Sequence, residues 1–151
     1  MTIHGYMSVY LKRAGTTNWI PITEHKHNLL TNGGRDFIHN QAYTNVSAGT
    51  QGSRYIAVTT DSGAPAAGDT TLTGEISTNG LARAAATTNT HSNGTNTSTL
   101  GITFTATGAH TSVQKSALFN ASSSGTMTHE NTFTAVTLAT NDQLQVTWTL
   151  T

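Results

Sequence analysis

The closing ten residues, Asp142-Gln-Leu-Gln-Val-Thr-Trp-Thr-Leu-Thr151, alternate without a break. Leu144, Val146, Trp148 and Leu150 fall on one face, and Gln145, Thr147, Thr149 and Thr151 on the other. Successive side chains of a strand point to opposite sides of a sheet, so this period of two demands a β-strand with one buried face and one wet face. The same pattern recurs upstream, where Leu100, Ile102, Phe104 and Ala106 alternate with Gly101, Thr103, Thr105 and Thr107. It recurs again near the start, where Met7, Val9 and Leu11 alternate with Tyr6, Ser8 and Tyr10. The chain is therefore expected to be built from strands with threonine-rich outer faces, and Leu100, Ile102, Phe104, Leu144, Val146, Trp148 and Leu150 are expected to share one core.

Composition narrows what such a scaffold does. Charged residues supply 9% of the 151 residues, against about 25% in ordinary soluble domains. Threonine alone supplies about a fifth of the chain, and its β-branched side chain fits a pleated, half-exposed surface. A surface of hydroxyls and amides with little charge repulsion suits stable contact with other protein chains or with sugars. Formal net charge is zero and the seven lysines and arginines are scattered, which argues against nucleic acid as a partner because its binders carry a basic patch. No run of apolar residues reaches the roughly 18 that a membrane helix needs, so no membrane partner is expected. The first residues, Met1-Thr-Ile-His-Gly-Tyr6, lack a basic start followed by an apolar run, and no secretory signal is expected. Without cysteine there is no disulfide framework and no thiolate metal site. Stability must then come from the sheets, from oligomerisation, or from both.

Strands are expected over residues 6–12, 19–30, 54–59, 80–90, 97–107, 112–120, 126–138 and 143–151. Pro21 lacks an amide donor, which makes the second of these an edge strand or a bent one. The almost continuous apolar run Tyr55-Ile-Ala-Val58 suits a central strand. One short helix is expected near residues 33–43, with Thr31 or Asn32 as its cap and Phe37, Ile38 and Ala42 as its apolar face, although Gly33 and Gly34 weaken it. Asn93-Gly94 favours a hairpin turn, and residues 121–125 make the next connection. In residues 126–138 the apolar phase runs through Met127, Phe133 and Ala135 and then slips to Val136 and Leu138, as at a β-bulge. No repeat of 20–50 residues is visible, against a solenoid or propeller. These elements predict a mainly β, jelly-roll-like antiparallel β-sandwich spanning residues 1–151 as one domain, with residues 1–31 as an N-terminal contact segment.

Several constellations invite chemistry. His25-Lys-His27 puts two imidazoles on one strand face, about 7 Å apart, where a metal is conceivable if symmetry-related strands meet, but no third ligand is placed. Asp61, Asp69 and Glu75 lie in or beside a glycine-rich loop without the alternation of an EF-hand, so Asx turns onto backbone amides explain them better than calcium. Glu75 and Arg83 can instead pair within the domain. Abundant serine and threonine with seven histidines match a hydrolase triad by chance, and no Gly-x-Ser-x-Gly elbow is present. No catalytic residue, no cofactor and no metal is therefore expected. The glycosylation sequons at Asn93, Asn96 and Asn120 are expected by chance in so Asn/Thr-rich a chain. Tyr6, Tyr10 and Trp19 remain as candidate contact anchors, since aromatic residues with polar tips favour interface centres.

Three stretches carry a resemblance: Asp69-Thr-Thr-Leu-Thr-Gly-Glu-Ile-Ser-Thr-Asn-Gly-Leu-Ala-Arg83, Leu118-Phe-Asn-Ala-Ser-Ser-Ser-Gly-Thr-Met-Thr-His-Glu-Asn-Thr-Phe133 and Asn141-Asp-Gln-Leu-Gln-Val-Thr-Trp148. With Asn28-Leu-Leu-Thr-Asn-Gly-Gly-Arg-Asp-Phe37 they make residues 28–151 similar to small β-rich virion proteins of tailed bacteriophages, labelled capsid decoration (cement) proteins or tail and head-fibre components. The resemblance implies a jelly-roll-like fold and self-association, with a homotrimer the form expected, or docking on a repeating lattice. It brings no catalytic residues. The expectation that follows is a structural virion protein, made in the host bacterial cytoplasm, that decorates the capsid exterior and bridges subunits of the major capsid protein. The alternative is a tail-fibre or baseplate module that binds host surface polysaccharide.

Overall fold

A computed structural model describes residues 4–39, 52–91 and 97–151. Two antiparallel sheets of five strands face each other as a β-sandwich. The first sheet holds β1 (Gly5–Lys12), β2 (Ile20–His27), β6 (Thr88–His91), β7 (Ser98–Thr105) and β10 (Gln143–Leu150) in the order β2-β1-β10-β7-β6. The second holds β3 (Leu29–Leu30), β4 (Tyr55–Thr59), β5 (Ala84–Ala85), β8 (His110–Phe119) and β9 (Met127–Leu138) in the order β3-β9-β8-β4-β5. The first strand lies beside the last and β3 lies beside β9, while the consecutive strands β1–β2, β4–β5, β6–β7 and β8–β9 are direct neighbours.

The alternating segments place the core. Met7, Val9 and Leu11 of β1, Leu144, Val146 and Trp148 of β10, and Leu100, Ile102 and Phe104 of β7 all point inward. They meet Ile56, Val58, Val113, Leu118, Phe133, Val136 and Leu138 of the second sheet. Trp148 has no exposed surface and sits in register between Met7 and Leu100. Leu150 is only partly buried, packed against the rim of this core.

The two sheets differ on their outer faces. In the first, the outward side chains are the wet set that the sequence alternation implies. In the second, residues 60–76 lie over the outer face and bury Ala57, Leu72, Ala117, Phe119 and Met127 as a second apolar cluster. Burial on both faces is why β4 reads as a continuous apolar run. The phase slip in β9 is real: Thr134 and Ala135 are both exposed between buried Phe133 and Val136, and the β8–β9 register is irregular there.

Two expected strands are corrected. Residues 19–30 are not one strand: the chain leaves the first sheet at His27, turns at the buried Asn28 and enters the second at Leu29. The Asn28 amide still donates to the Gly5 carbonyl at 2.8 Å, and its side chain fills the space that a Cβ on Gly5 would claim at 2.3 Å. Residues 80–90 likewise divide into β5 and β6, where Ala86 N donates to Arg54 O and the next amide, Thr87 N, to Gly101 O, passing the backbone from one sheet to the other.

The helix α1 spans Asn32–His39. Thr31 caps it, its Oγ1 accepting from Gly34 N at 3.0 Å and donating to Met127 O at 2.6 Å. Gly34 weakens the isolated helix but is required in the fold, since a Cβ there would meet Thr128 O at 2.2 Å. The helix residues expected at Ala42 and Tyr43, and the turn expected at Asn93-Gly94, lie outside the described residues.

Candidate functional site

The parity that buries Met7, Val9 and Leu11 sends the even-numbered residues of β1 to the bare outer face of the first sheet. Side chains of β2 and its approach meet them there in sequence along the strand. Lys12 Nζ lies 5.1 Å from the centre of the Trp19 ring, a cation–π contact. The Tyr10 hydroxyl donates to Glu24 Oε1 at 2.8 Å. That bond, with the carboxylate's charge, holds the phenol's proton more tightly and raises the Tyr10 pKa. Tyr6 packs between His27, edge-on at 5.4 Å, and His25, tilted at 6.3 Å. At the far end His4 Nδ1 lies 3.1 Å from His27 Nε2.

Tyr6, Tyr10 and Trp19 are thus brought to one surface, as neighbours along a stripe of aromatic and polar groups. Trp19 is 36% exposed and the adjoining Ile20 47%, the two large hydrophobic residues exposed among those described. β2 pairs with β1 on one side and is the edge of its sheet. Beside the stripe, the outward residues of β10 and β7 are Gln145, Thr147 and Thr149, then Thr99, Thr103 and Thr105, a field of hydroxyls and amides without a charge.

His4, Lys12 and Glu24 belong to this surface and escaped the sequence reading. The parity of β1 extended at both ends would have found the first two. Glu24 depends on irregular β1–β2 pairing, whose register shifts on either side of Val9.

His25 and His27 both lie against the Tyr6 ring, on the shared face that their spacing implies. His25 has a positive φ of 47° at the irregular part of β2, its amide bonded to Ser8 Oγ at 3.1 Å. The β1–β2 register shifts between Met7 and Val9, and His27 meets His4 at the other end of the Tyr6 contact.

The loop carboxylates part company. Asp61 pairs with Lys115, whose ammonium together with the Gly63 amide holds its carboxyl below the usual range. Asp69 accepts from Ala66 N at 3.1 Å. Glu75 takes one edge of the Arg83 guanidinium, Nε and Nη2 each donating to one carboxylate oxygen, the intradomain pair that the sequence allows. Arg83 also stacks on Phe119 at 3.5 Å and donates to Ser124 O at 2.7 Å, fixing the β8–β9 turn. Among the described residues no three His, Cys, Asp or Glu side chains gather as a metal group. No helix of the described residues is long and apolar enough to cross a membrane. Comparison with family models, with curated proteins and with solved structures finds no match to this chain.

Proposed function

We propose that this chain is a structural virion protein that binds the outside of a bacteriophage capsid and bridges neighbouring subunits of the major capsid protein. One observation carries the reading: the two sheets are unequal. The outer face of the second is covered by the chain's own residues 60–76, while among the described residues that of the first stays open, low in charge, and bordered by an edge strand with exposed Trp19 and Ile20. An open sheet face beside an unpaired edge is a surface built to be covered by another chain. The virion-protein resemblance of residues 28–151 supports the same reading. A small module with such a face stabilises a shell by many modest contacts at high copy number.

The test is co-sedimentation of the purified chain with emptied, expanded capsids that lack their decoration protein. Binding that saturates at a fixed ratio to the capsid subunits, and is weakened by Trp19→Ser, supports the proposal; absence of binding overturns it. The tail-fibre or baseplate reading is favoured by the Tyr10–Glu24 pair beside Tyr6, since aromatic faces with bonded polar tips suit sugars. Binding to isolated host polysaccharide, with capsids ignored, would establish that reading instead.

A further inference from the structure

We infer that His4 and His27 form a two-imidazole clip for a divalent transition cation, with zinc as the reference ion. The inference is independent of the virion reading. In the β1–β2 register Tyr6 stands opposite His27, so His4, two residues earlier on the same face, lies diagonally across from it. Their nitrogens, His4 Nδ1 and His27 Nε2, are 3.1 Å apart, with ring centres at 5.4 Å and planes at 72°. Two ligands held at about 2.0–2.1 Å by a tetrahedral ion are themselves about 3.3 Å apart. The nitrogen separation is therefore within a few tenths of an ångström of that between two ligands on one ion. With both rings neutral, one N–H donates to the other ring's bare nitrogen. To bind a cation, the donating ring gives up that proton to solvent and takes one back on its other nitrogen, which leaves two lone pairs for the ion.

The pair is held in place from behind. His4 N donates to Thr151 O at 2.7 Å and Thr151 N returns to His4 O at 2.6 Å, so the backbone of His4 is clamped to the end of the chain. His27 stands edge-on against the Tyr6 ring at 5.4 Å. Such preorganisation lowers the ordering cost of binding. Two imidazoles with no carboxylate in the clip select zinc-like ions over calcium or magnesium, which require oxygen ligands. The chain supplies two ligands, both side chains being exposed, and water completes the coordination. His25 lies 6.3 Å from the centre of the Tyr6 ring and takes no part in the His4–His27 contact.

The experiment is calorimetric titration of untagged full chain with zinc, alongside cobalt(II), whose visible spectrum reports nitrogen ligation. One zinc per chain is expected. His4→Gln and His27→Gln should each weaken binding by about tenfold or more, because each removes the intramolecular second contact. His25→Gln should change it by less than about twofold, as a substitution outside the site. All three side chains are exposed, and circular dichroism checks that the sheets persist. The inference is overturned if the wild type takes up no zinc, if either clip variant binds as the wild type does, or if His25→Gln costs as much as His27→Gln.

Discussion

His129 and Glu130 are neighbours on β9 that point to opposite faces of the second sheet, and burial drives their titrations in opposite directions. His129 faces the core, 6.3 Å from the Trp148 ring, and burial lowers its pKa to about 4. Glu130 faces the 60–76 cover, where burial first and then the Asp69 carboxylate raise its pKa to about 7, against the opposing bond from Ala66 N at 2.9 Å. The folded state thus resists protonation of His129, whose contribution is full above its ordinary 6.5 and is lost as pH falls towards about 4. It retains the proton on Glu130, whose contribution is full below its ordinary 4.5 and is lost as pH rises towards about 7. Between those limits the two slopes oppose each other. Glu130→Gln should therefore leave stability rising with pH across this window, and His129→Gln should leave it falling. Urea midpoints at several pH values read both, and two variants with the wild-type slope would refute the assignment. Trp148, in register between Met7 and Leu100, is the largest fully buried side chain. Trp148→Ala should cost about 3–5 kcal/mol in denaturant unfolding, and a loss below about 1 kcal/mol, the size of a typical substitution, would contradict its burial.

Among the elements, β1 decides what the N-terminal segment is. It pairs over Gly5–Lys12 with β10 and on its other side with β2, so it lies inside its sheet and completes the sandwich of its own chain. Deleting residues 2–15 should unfold the domain, seen as loss of the cooperative urea transition; a truncated chain that unfolds like the full one would show that β1 is dispensable. The edge strand is tied across the sandwich instead: Asn131 Nδ2 donates to His27 O at 2.8 Å, and Lys26 Nζ to Thr132 O at 2.7 Å. What the sequence made legible follows from wetting. β1, β7 and β10 have one dry and one wet face and announce themselves by alternation. The two corners were illegible because a single buried Asn28, or the pair Ala86-Thr87, moves the chain between sheets without a turn signature. Gly34 misled for a related reason, since its close approach to Thr128 O is a tertiary fact and helix propensity a local one. Of the contact surface, the shared face of Tyr6 and Tyr10 followed from parity. The match of His4 with His27 required the register of a bulged pair.

At the scale of the whole molecule, the inequality of the two sheets sets the direction of any assembly. The second sheet already has a cover and a second apolar cluster beneath it. The first offers an uncharged field of threonine and glutamine, a stripe of aromatic residues and two edge strands, β2 beside the stripe and β6 at the far side. Low charge leaves little repulsion between copies, and backbone groups on an edge strand gain most when another strand or surface satisfies them. Pro21 interrupts the donor row of β2 and limits open-ended strand addition, which favours a closed assembly over a fibre. The expected closed form is a trimer, in line with the virion resemblance, with Trp19 and Ile20 at its contacts. Sedimentation velocity of the wild type should then give a trimeric species that the double variant Trp19→Ser, Ile20→Lys shifts towards monomer. Each anchor should account for about 1–2 kcal/mol of association. Both side chains are exposed, so the urea midpoint of the dissociated variant should stay close to that of the wild-type monomer. A wild type that is monomeric and also fails to bind capsids would end the assembly reading, and a double variant that associates as tightly as the wild type would move the contacts away from the β2 edge.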